Sequence, residues 1–284
     1  MSNKNNFKIS SILYALGSIL SASISFIFIP FFMSEFTSVE FGIYSLILIC
    51  SSIGAAIFYL GVTSALTRSF FDFTANNERN NCFFTALVLL AFGGVMQIVL
   101  GFFVSNGISL LLFNSINWNN AILIALISSS FGFINFAFLT YFRLVNKPYH
   151  FFTFSVLSVV GNMLGMYLFV IIEKQGVLGA IKGPLISQVL MFIIFLIYHW
   201  KLLSRAKYSK IEGVVQLKYG FYTVLSSLGG LAILWADQFF INKYLNLSDV
   251  GVYALSVKLA GIITVVFVTP FIQVFNPIVM EQKK

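Results

Sequence analysis

Long apolar stretches alternate with short polar segments along the whole chain. An α-helix needs about 20 apolar residues to cross the hydrocarbon core of a bilayer, and the apolar stretches reach that length. The pattern therefore predicts an all-α polytopic membrane protein with about eight transmembrane helices. The predicted spans are residues 9–33, 41–66, 83–104, 121–142, 149–172 and 179–200, followed by two helices within residues 219–272.

The segments between the spans are predicted to be short loops. Residues 105–120 form an uncharged loop, residues 201–218 form a basic loop, and residues 243–249 form the polar turn between the last two helices. No loop is long enough for a separate soluble domain.

Composition supports the membrane class. Hydrophobic residues make up 59% of the 284 residues, whereas only 9% are charged. A soluble domain carries charge on about a quarter of its residues, so this chain cannot cover a surface that faces water. We expect membrane lipids to surround it.

The net charge of +8 is distributed among alternate loops. Cytoplasmic loops of membrane proteins are enriched in Lys and Arg, and this distribution places both termini in the cytoplasm. A chain with dispersed basic residues has no continuous basic face, so we do not expect a nucleic-acid partner.

Two opposite charges lie inside the last predicted helical hairpin. Asp237 and Lys258 are expected at roughly the same depth, about 9–12 Å below one membrane face. A charge within lipid is costly and usually faces a partner or a watery path. Either the two residues form a structural ion pair, or they line a cavity that handles a charged substrate or a coupling ion.

A pentapeptide motif occurs twice. Acid, apolar residue, Gly, β-branched residue and Tyr follow one another at 40–44 and again at 249–253, which are 209 residues apart. Six spans separate the copies, which indicates parallel repeats related by an axis along the membrane normal. Residues 1–210 are predicted to form a six-helix lobe, and residues 211–284 the first hairpin of a second lobe. Because two of six helices are present, we expect a C-terminally truncated product of a parent with about twelve helices.

Enzyme and cofactor motifs were not found in the sequence. The two cysteines, Cys50 and Cys82, have no second Cys and no His at metal-ligand spacing. No phosphate-binding Gly-rich loop, nucleophile elbow or zinc-binding His pair occurs. The chain is therefore predicted to be neither an enzyme nor a cofactor protein, and any transport would draw on an ion gradient or on the membrane potential.

Three segments resemble a known family. They are the motif at 40–44, the run LGVTSALTR at 60–68, and ADQFFI at 236–241 followed by VGVY at 250–253. Together they resemble polysaccharide biosynthesis proteins of the O-antigen flippase (Wzx-type) family. These belong to the multidrug/oligosaccharidyl-lipid/polysaccharide exporter (MOP) superfamily.

The resemblance implies a two-lobed transporter of the inner membrane that works by alternating access. Such a protein flips undecaprenyl-diphosphate-linked oligosaccharide, an O-antigen or capsule unit in lipopolysaccharide or capsule export, alongside other polysaccharide assembly proteins. Cationic side chains facing a watery path would bind the diphosphate. The candidate substrate-binding residues are Lys258, Asp237, Lys182, Arg68 and Arg143.

Other interpretations of these residues remain open. Arg68 and Arg143 could be topology anchors, and Lys182 could extend to the membrane surface. The chain as a whole could be a multidrug and toxin extrusion-type cation antiporter, a membrane enzyme, or a truncated remnant without function.

Overall fold

The computed structural model describes residues 34–263. The described chain folds into helices α1 (Ser38–Phe58), α2 (Val62–Ser69), α3 (Asn76–Phe113), α4 (Asn119–Leu144), α5 (Pro148–Met166), α6 (Gly176–Tyr198), α7 (Trp200–Leu203), α8 (Lys210–Tyr244) and α9 (Leu247–Ile263). A π-helical turn, Tyr167–Ile172, extends α5. Six of these segments are long and apolar enough to cross a membrane: α1, α3, α4, α5 with its π-helical turn, α6 and α8. The all-α multi-pass prediction is confirmed, while the first predicted span, 9–33, lies outside the described residues.

The predicted second span is interrupted. Residues 41–66 were expected to form one helix, but α1 ends at Phe58 and α2 begins at Val62. Leu60 and Gly61 both take the left-handed conformation, with φ of 55° and 61°. Gly61 adopts this conformation without strain, whereas Leu60 carries a Cβ that disfavours it. Hydropathy continues unbroken across this bend, so the sequence pattern does not reveal it.

Two predicted loops are largely helical. Residues 105–120 were expected to be a loop, but α3 continues to Phe113 and ends where Asn114 takes a left-handed φ of 50°. Residues 201–218 were also expected to be a loop, but α8 already begins at Lys210. The Ser209 side chain caps that helix by accepting a hydrogen bond from the Glu212 backbone N–H at 3.3 Å. Both helices therefore extend beyond their predicted apolar spans, and each extended end stops at a polar residue, Asn114 for α3 and Ser209 for α8.

The basic residues collect at one end of the helix bundle. This basic end, where α2, α4 and α6 finish and α3, α5 and α8 start, carries most of the Lys and Arg of the described chain. The core just inside it is aromatic and includes Phe83, Phe138, Phe142 and Phe195. A second core cluster, which contains Phe41, Tyr44 and Ala254, lies toward the opposite end.

Glycines let helices pack backbone to backbone within the bundle. A Cβ on Gly165 of α5 would lie 2.5 Å from the Gly183 carbonyl oxygen of α6, and one on Gly183 would lie 2.4 Å from the Gly165 carbonyl carbon. Only residues without a side chain allow this approach, as at small-residue crossings in membranes.

The two copies of the repeated motif meet each other in the structure. A Cβ on Gly42 would lie 2.2 Å from the carbonyl oxygen of Leu247, and a Cβ on Gly251 would lie 1.9 Å from that of Ser38. Each glycine therefore faces the residue four positions before its counterpart. This reciprocity makes the α1–α9 contact quasi-symmetric, at the end of the bundle opposite the basic end.

The helix caps of α1 and α9 repeat as well. The Thr37 hydroxyl accepts a hydrogen bond from the Glu40 backbone N–H at 3.3 Å, and the Asn246 side chain accepts one from Asp249 N–H at 3.0 Å. Thr37 and Asn246 are also 209 residues apart. An N-cap acceptor three residues before an acid thus starts both helices, which extends the sequence repeat to its local structure.

Candidate functional site

Lys258 lies about 16 Å along α9 from the start of that helix. Its Nζ is 4.9 Å from the ring centroid of Phe41 and 5.0 Å from that of Tyr44, both on α1. The side chain is half-buried, and among the described residues it forms no ion pair. A cation over aromatic faces is attracted by the ring quadrupole, so the charge of Lys258 is held against α1 without a carboxylate.

Asp237 pairs with Tyr253 and not with Lys258. Its carboxylate accepts a 2.6 Å hydrogen bond from the Tyr253 hydroxyl, which connects α8 to α9. The Asp237 side chain is exposed, and it forms no ion pair with Lys258. The neighbouring Gln238 faces α1 instead, where it accepts a 2.7 Å hydrogen bond from the Ser45 hydroxyl. The hairpin is thus held by hydrogen bonds, and the hypothesis of an Asp237–Lys258 ion pair is wrong.

Lys182 belongs to the other end of the bundle. It lies near the start of α6 and donates a 2.9 Å hydrogen bond to the side chain of Gln175, in the turn before that helix. This partner draws the ammonium group toward the surface, as the snorkelling interpretation expects. Lys182 is therefore not grouped with Arg68 at the basic end.

Arg68 lines a cavity at the basic end. The cavity has a volume of about 340 Å³ and lies between α2 and the first half of α8. The Arg68 guanidinium carbon is 4.9 Å from the ring centroid of Tyr219. The described residues that line it are Ala65, Arg68, Ser69, Asp72, Val215, Gln216, Lys218, Tyr219 and Tyr222.

Three of these lining residues escaped the sequence analysis. Lys218 was assigned to a basic loop, and Tyr219 and Tyr222 to an apolar helix start. The structure puts all three on α8, which begins eight residues earlier than Lys218, and turns them toward Arg68. The usable signal was the i, i+1, i+4 spacing of Lys218, Tyr219 and Tyr222, which places them near one face of a helix.

The wall of this cavity contains a buried polar cluster. The Gln216 amide NH₂ donates to the Cys82 carbonyl oxygen and to the Glu212 carboxylate, both at 3.2 Å. The Cys82 thiol lies 3.5 Å from the same carboxylate. Gln216 is fully buried, and its side-chain carbonyl oxygen accepts no hydrogen bond within the described structure.

A second, separate cavity lies nearer the middle of the bundle. It measures about 380 Å³ and is lined by residues of α1, α2, α4 and α8, among them Ser52, Tyr59, Ser64, Phe136, Thr223 and Ser227. Between the cavities, a Cβ on Gly220 would lie 1.9 Å from the Leu60 carbonyl oxygen. The close contact of Gly220 with the Leu60–Gly61 bend therefore lies between an outer basic cavity and an inner, mostly apolar one.

Arg143 lies at the basic end of α4. Its guanidinium carbon is 5.7 Å from the ring centroid of Phe136, which lines the inner cavity, and 5.5 Å from that of Phe151. Its Nη2 donates to the Thr140 hydroxyl at 3.1 Å. These contacts fix the side chain close to the inner cavity, on the α4 side.

Within residues 34–263, no group of three His, Cys, Asp or Glu side chains comes together as a metal site requires. Cys50 and Cys82 are both free thiols. The chemistry of the site therefore lies in fixed charges, aromatic faces and hydrogen bonds.

The match to known families covers most of the chain. Residues 36–284 match the family described as polysaccharide biosynthesis protein, and the chain belongs to that family. Among curated proteins, none matches.

Solved structures define the fold. A MOP superfamily transporter from Pyrococcus furiosus, described as having a binding pocket of reversed polarity, shares 15% identity over 90% of this chain and 60% of its own, with a TM-score of 0.68. The MATE multidrug transporter DinF-BH, solved in complex with a ligand, shares 18% identity over 92% of this chain and 61% of its own, with a TM-score of 0.69. An outward-facing MATE family transporter shares 15% identity over 91% and 65%, with a TM-score of 0.62. The chain thus has the fold of MOP superfamily transporters and spans less than two thirds of their length.

Both the family and the transporters that share the fold agree with the prediction that the chain is not an enzyme. It is a multi-pass membrane protein of a polysaccharide biosynthesis family.

Proposed function

We propose that this chain takes part in flipping an undecaprenyl-diphosphate-linked oligosaccharide, an O-antigen or capsule unit, across the inner membrane. The observation that supports the proposal most is the basic cavity, which is lined by both Arg68 of α2 and Lys218 of α8. Family membership supplies the link to polysaccharide assembly. The distribution of Lys and Arg in the sequence predicts cytoplasmic termini, and with that orientation the basic cavity would open to the leaflet where the substrate is made.

The cavity suits the anionic part of such a substrate. A diphosphate needs cationic donors, and the Arg guanidinium matches the geometry of phosphate oxygens. Lys218 supplies a second charge, and the hydroxyls of Tyr219 and Tyr222 can hydrogen-bond to phosphate or sugar oxygens. Asp72 on the same wall lowers the local positive charge, which lets the substrate leave again.

Transport would proceed by alternating access. In the described structure, α1 and α9 are in backbone contact at Gly42 and Gly251, the end opposite the basic cavity. Separation of these helices would open that end and release Lys258 from the rings of Phe41 and Tyr44. Lys258 could then meet the diphosphate as it passes the middle of the bundle, and Asp237 is the candidate for a coupling proton.

The double variant Arg68→Ala/Lys218→Ala tests the proposal. A hydrogen bond to a charged group contributes about 1.5–3 kcal/mol, so we expect flipping to fall tenfold or more. The measurement is surface polysaccharide in complemented cells, together with the pool of lipid-linked precursor, which should accumulate. Normal surface polysaccharide in this variant, at equal protein levels, would contradict the proposed role of the cavity.

A matched control removes two other charges from the same end. Lys147→Ala/Lys210→Ala changes the net charge equally but alters neither cavity. We expect it to retain flipping. Arg68→Lys/Lys218→Arg keeps both charges and should restore most of the activity, which separates charge from packing.

A cation antiporter is the second candidate, and the exposed carboxylates of Asp72 and Asp237 favour it. A cation antiporter should depend on these acidic side chains and not on the basic ones. Asp72→Asn/Asp237→Asn would abolish efflux of a fluorescent organic cation, whereas Arg68→Ala/Lys218→Ala would leave efflux intact. If no variant and no wild-type chain supports either activity, the chain alone is inactive.

A further inference from the structure

A second polar cavity lies at the basic end, apart from the proposed substrate path. It measures about 600 Å³ and lies between the first turns of α3 and the connector that contains α7. Its polar lining consists of three amides and three cations, and it shares no lining residue with the basic cavity around Arg68. The residues are Asn77, Asn80, Asn81, Lys201, Arg205 and Lys207.

The three cations of this cavity have no counterion in the described part of the chain. Lys201, Arg205 and Lys207 are exposed, and none forms an ion pair with a carboxylate of the described residues. Glu78 lies next to Asn77 on α3 but does not line the cavity. Three positive charges around one polar cavity create a potential that attracts an anion.

The amides present donors to the same cavity. The Asn81 side-chain oxygen accepts a 2.7 Å hydrogen bond from the Lys207 backbone N–H. A backbone N–H can only donate, so this contact fixes the amide orientation and leaves the Asn81 NH₂ group as a donor. The Asn80 oxygen is likewise paired with the Tyr141 hydroxyl at 3.0 Å. The cavity therefore combines cations with amide donors, which is the chemistry of a phosphate site.

The surroundings of the cavity point to a lipid as the source of that phosphate. Trp200, next to Lys201, is 69% exposed, and Tyr208, next to Lys207, is 48% exposed. Exposed Trp and Tyr side chains concentrate at the headgroup level of a membrane. Ile211 and Val214, in the first two turns of α8, are exposed apolar residues that acyl chains can cover.

We propose that the cavity between α3 and the α7 connector is a binding site for the phosphate headgroup of an anionic phospholipid. Lys201, Arg205 and Lys207 hold the phosphate, the amides of Asn80 and Asn81 donate to its oxygens, and Trp200 marks the membrane interface beside it. Basic pockets between transmembrane helices bind anionic headgroups in this way. The site is independent of the flippase proposal.

The test uses the purified full chain in a neutral detergent. Phosphatidylglycerol, phosphatidylcholine and inorganic phosphate are titrated separately, and bound lipid is counted by native mass spectrometry. We expect phosphatidylglycerol to bind to the wild type and phosphatidylcholine to bind much more weakly. Lys201→Ala/Arg205→Ala should weaken phosphatidylglycerol binding about 30-fold, since each basic residue near a headgroup contributes about fivefold.

The control Lys147→Ala/Lys210→Ala removes two charges from the same end but none from the cavity. We expect less than about a threefold change in its phosphatidylglycerol affinity, because neither side chain reaches the headgroup. If this control and Lys201→Ala/Arg205→Ala lost phosphatidylglycerol affinity equally, the attraction would be diffuse electrostatics, and the proposed site would be overturned. Inorganic phosphate that binds as tightly as phosphatidylglycerol, and displaces it, would overturn the lipid assignment.

A charge-preserving variant tests whether the alanine variants lose lipid binding through loss of charge or through misfolding. Lys201→Arg/Arg205→Lys retains the cations, so we expect wild-type lipid binding together with an unchanged elution volume. Loss of binding in this variant, with the fold intact, would contradict a site based on positive charge.

Discussion

At the scale of single residues, Lys258 is a charge within a membrane-embedded helix that has aromatic neighbours and no carboxylate partner among residues 34–263. The ammonium group rests 4.9 Å and 5.0 Å from two aromatic ring centroids on α1. Cation–π contacts contribute about 0.5–2 kcal/mol, more when water is excluded. Such a contact is weak enough to break when α9 moves away from α1, whereas a buried ion pair would resist separation.

Replacing Lys258 by Met tests the role of its charge. Met preserves most of the side-chain volume and still packs on the rings, so we expect a stable protein whose flipping falls about tenfold or more. Lys258→Arg should retain activity. Surface polysaccharide and protein level are measured together.

The matched control for Lys258 is Lys243→Met. Lys243 also lies over an aromatic ring, at 5.5 Å from the Tyr244 centroid, but it is exposed at the end of α8. We expect no effect on flipping. Equal activity of the Lys258→Met variant and the wild type would rule out a role for the charge in transport.

At the scale of helices, close backbone contacts decide the arrangement of α1, α8 and α9. Gly42 and Gly251 join α1 to α9 at one end, and Gly220 meets the bend at Leu60 toward the other. Without Cβ atoms the helices approach closely, and dispersion contacts accumulate along the crossing. The segment formed by α1 and α2 therefore contacts the α8–α9 hairpin at two places, and the inner cavity lies between these two contacts.

Adding a methyl group to one of these glycines tests the crossing. In Gly251→Ala the new Cβ would lie 1.9 Å from the Ser38 carbonyl oxygen, so α9 must shift. Overpacking of this kind costs about 1–3 kcal/mol, and we expect the unfolding temperature in detergent to fall.

The control for the crossing is Gly229→Ala/Gly230→Ala on α8, where a new Cβ meets no neighbouring atom of the described residues within 4 Å. Because Ala favours helix over Gly by up to about 1 kcal/mol, these changes should leave stability equal or higher. A Gly251→Ala protein as stable as the wild type would show that α1 and α9 are not in backbone contact.

At the scale of the whole molecule, charge separates the two ends of the bundle. The basic cavity and the proposed lipid site both lie at the basic end, whereas the α1–α9 contact lies at the opposite end. A cytoplasmic leaflet with anionic lipids attracts basic segments, so we expect the basic end to face the cytoplasm, where both proposed anion sites would then lie.

Cysteine labelling tests this orientation. In a Cys50→Ser/Cys82→Ser background, Lys210→Cys and Lys243→Cys place a thiol at opposite ends, both at exposed positions. We expect a membrane-impermeant maleimide to label Lys243→Cys in spheroplasts, and Lys210→Cys only after lysis. The reverse pattern would mean that the basic end faces outward, and that the proposed direction of transport is wrong.

Part of the candidate site was accessible from the sequence. Arg68 was identified because a charge at the end of an apolar span is conspicuous, and it does line a cavity. Lys218 was missed because a helix that extends beyond its apolar core resembles a basic loop, and Tyr219 was missed because hydropathy does not show which face of a helix lines a cavity. The partners of Asp237 and Lys258 could not be predicted, since similar depth does not fix the rotation of a helix about its axis.

The sequence by itself determined the all-α membrane class, most of the apolar spans, the repeat and the family resemblance. These follow from local hydropathy and local motifs, which are read along one segment at a time. Only the tertiary structure decided which faces of α1, α2, α8 and α9 meet, and therefore where the cavities lie and which rings hold Lys258. Those contacts join segments far apart in the chain, and they depend on backbone approaches, such as Gly42 on Gly251, that hydropathy does not encode.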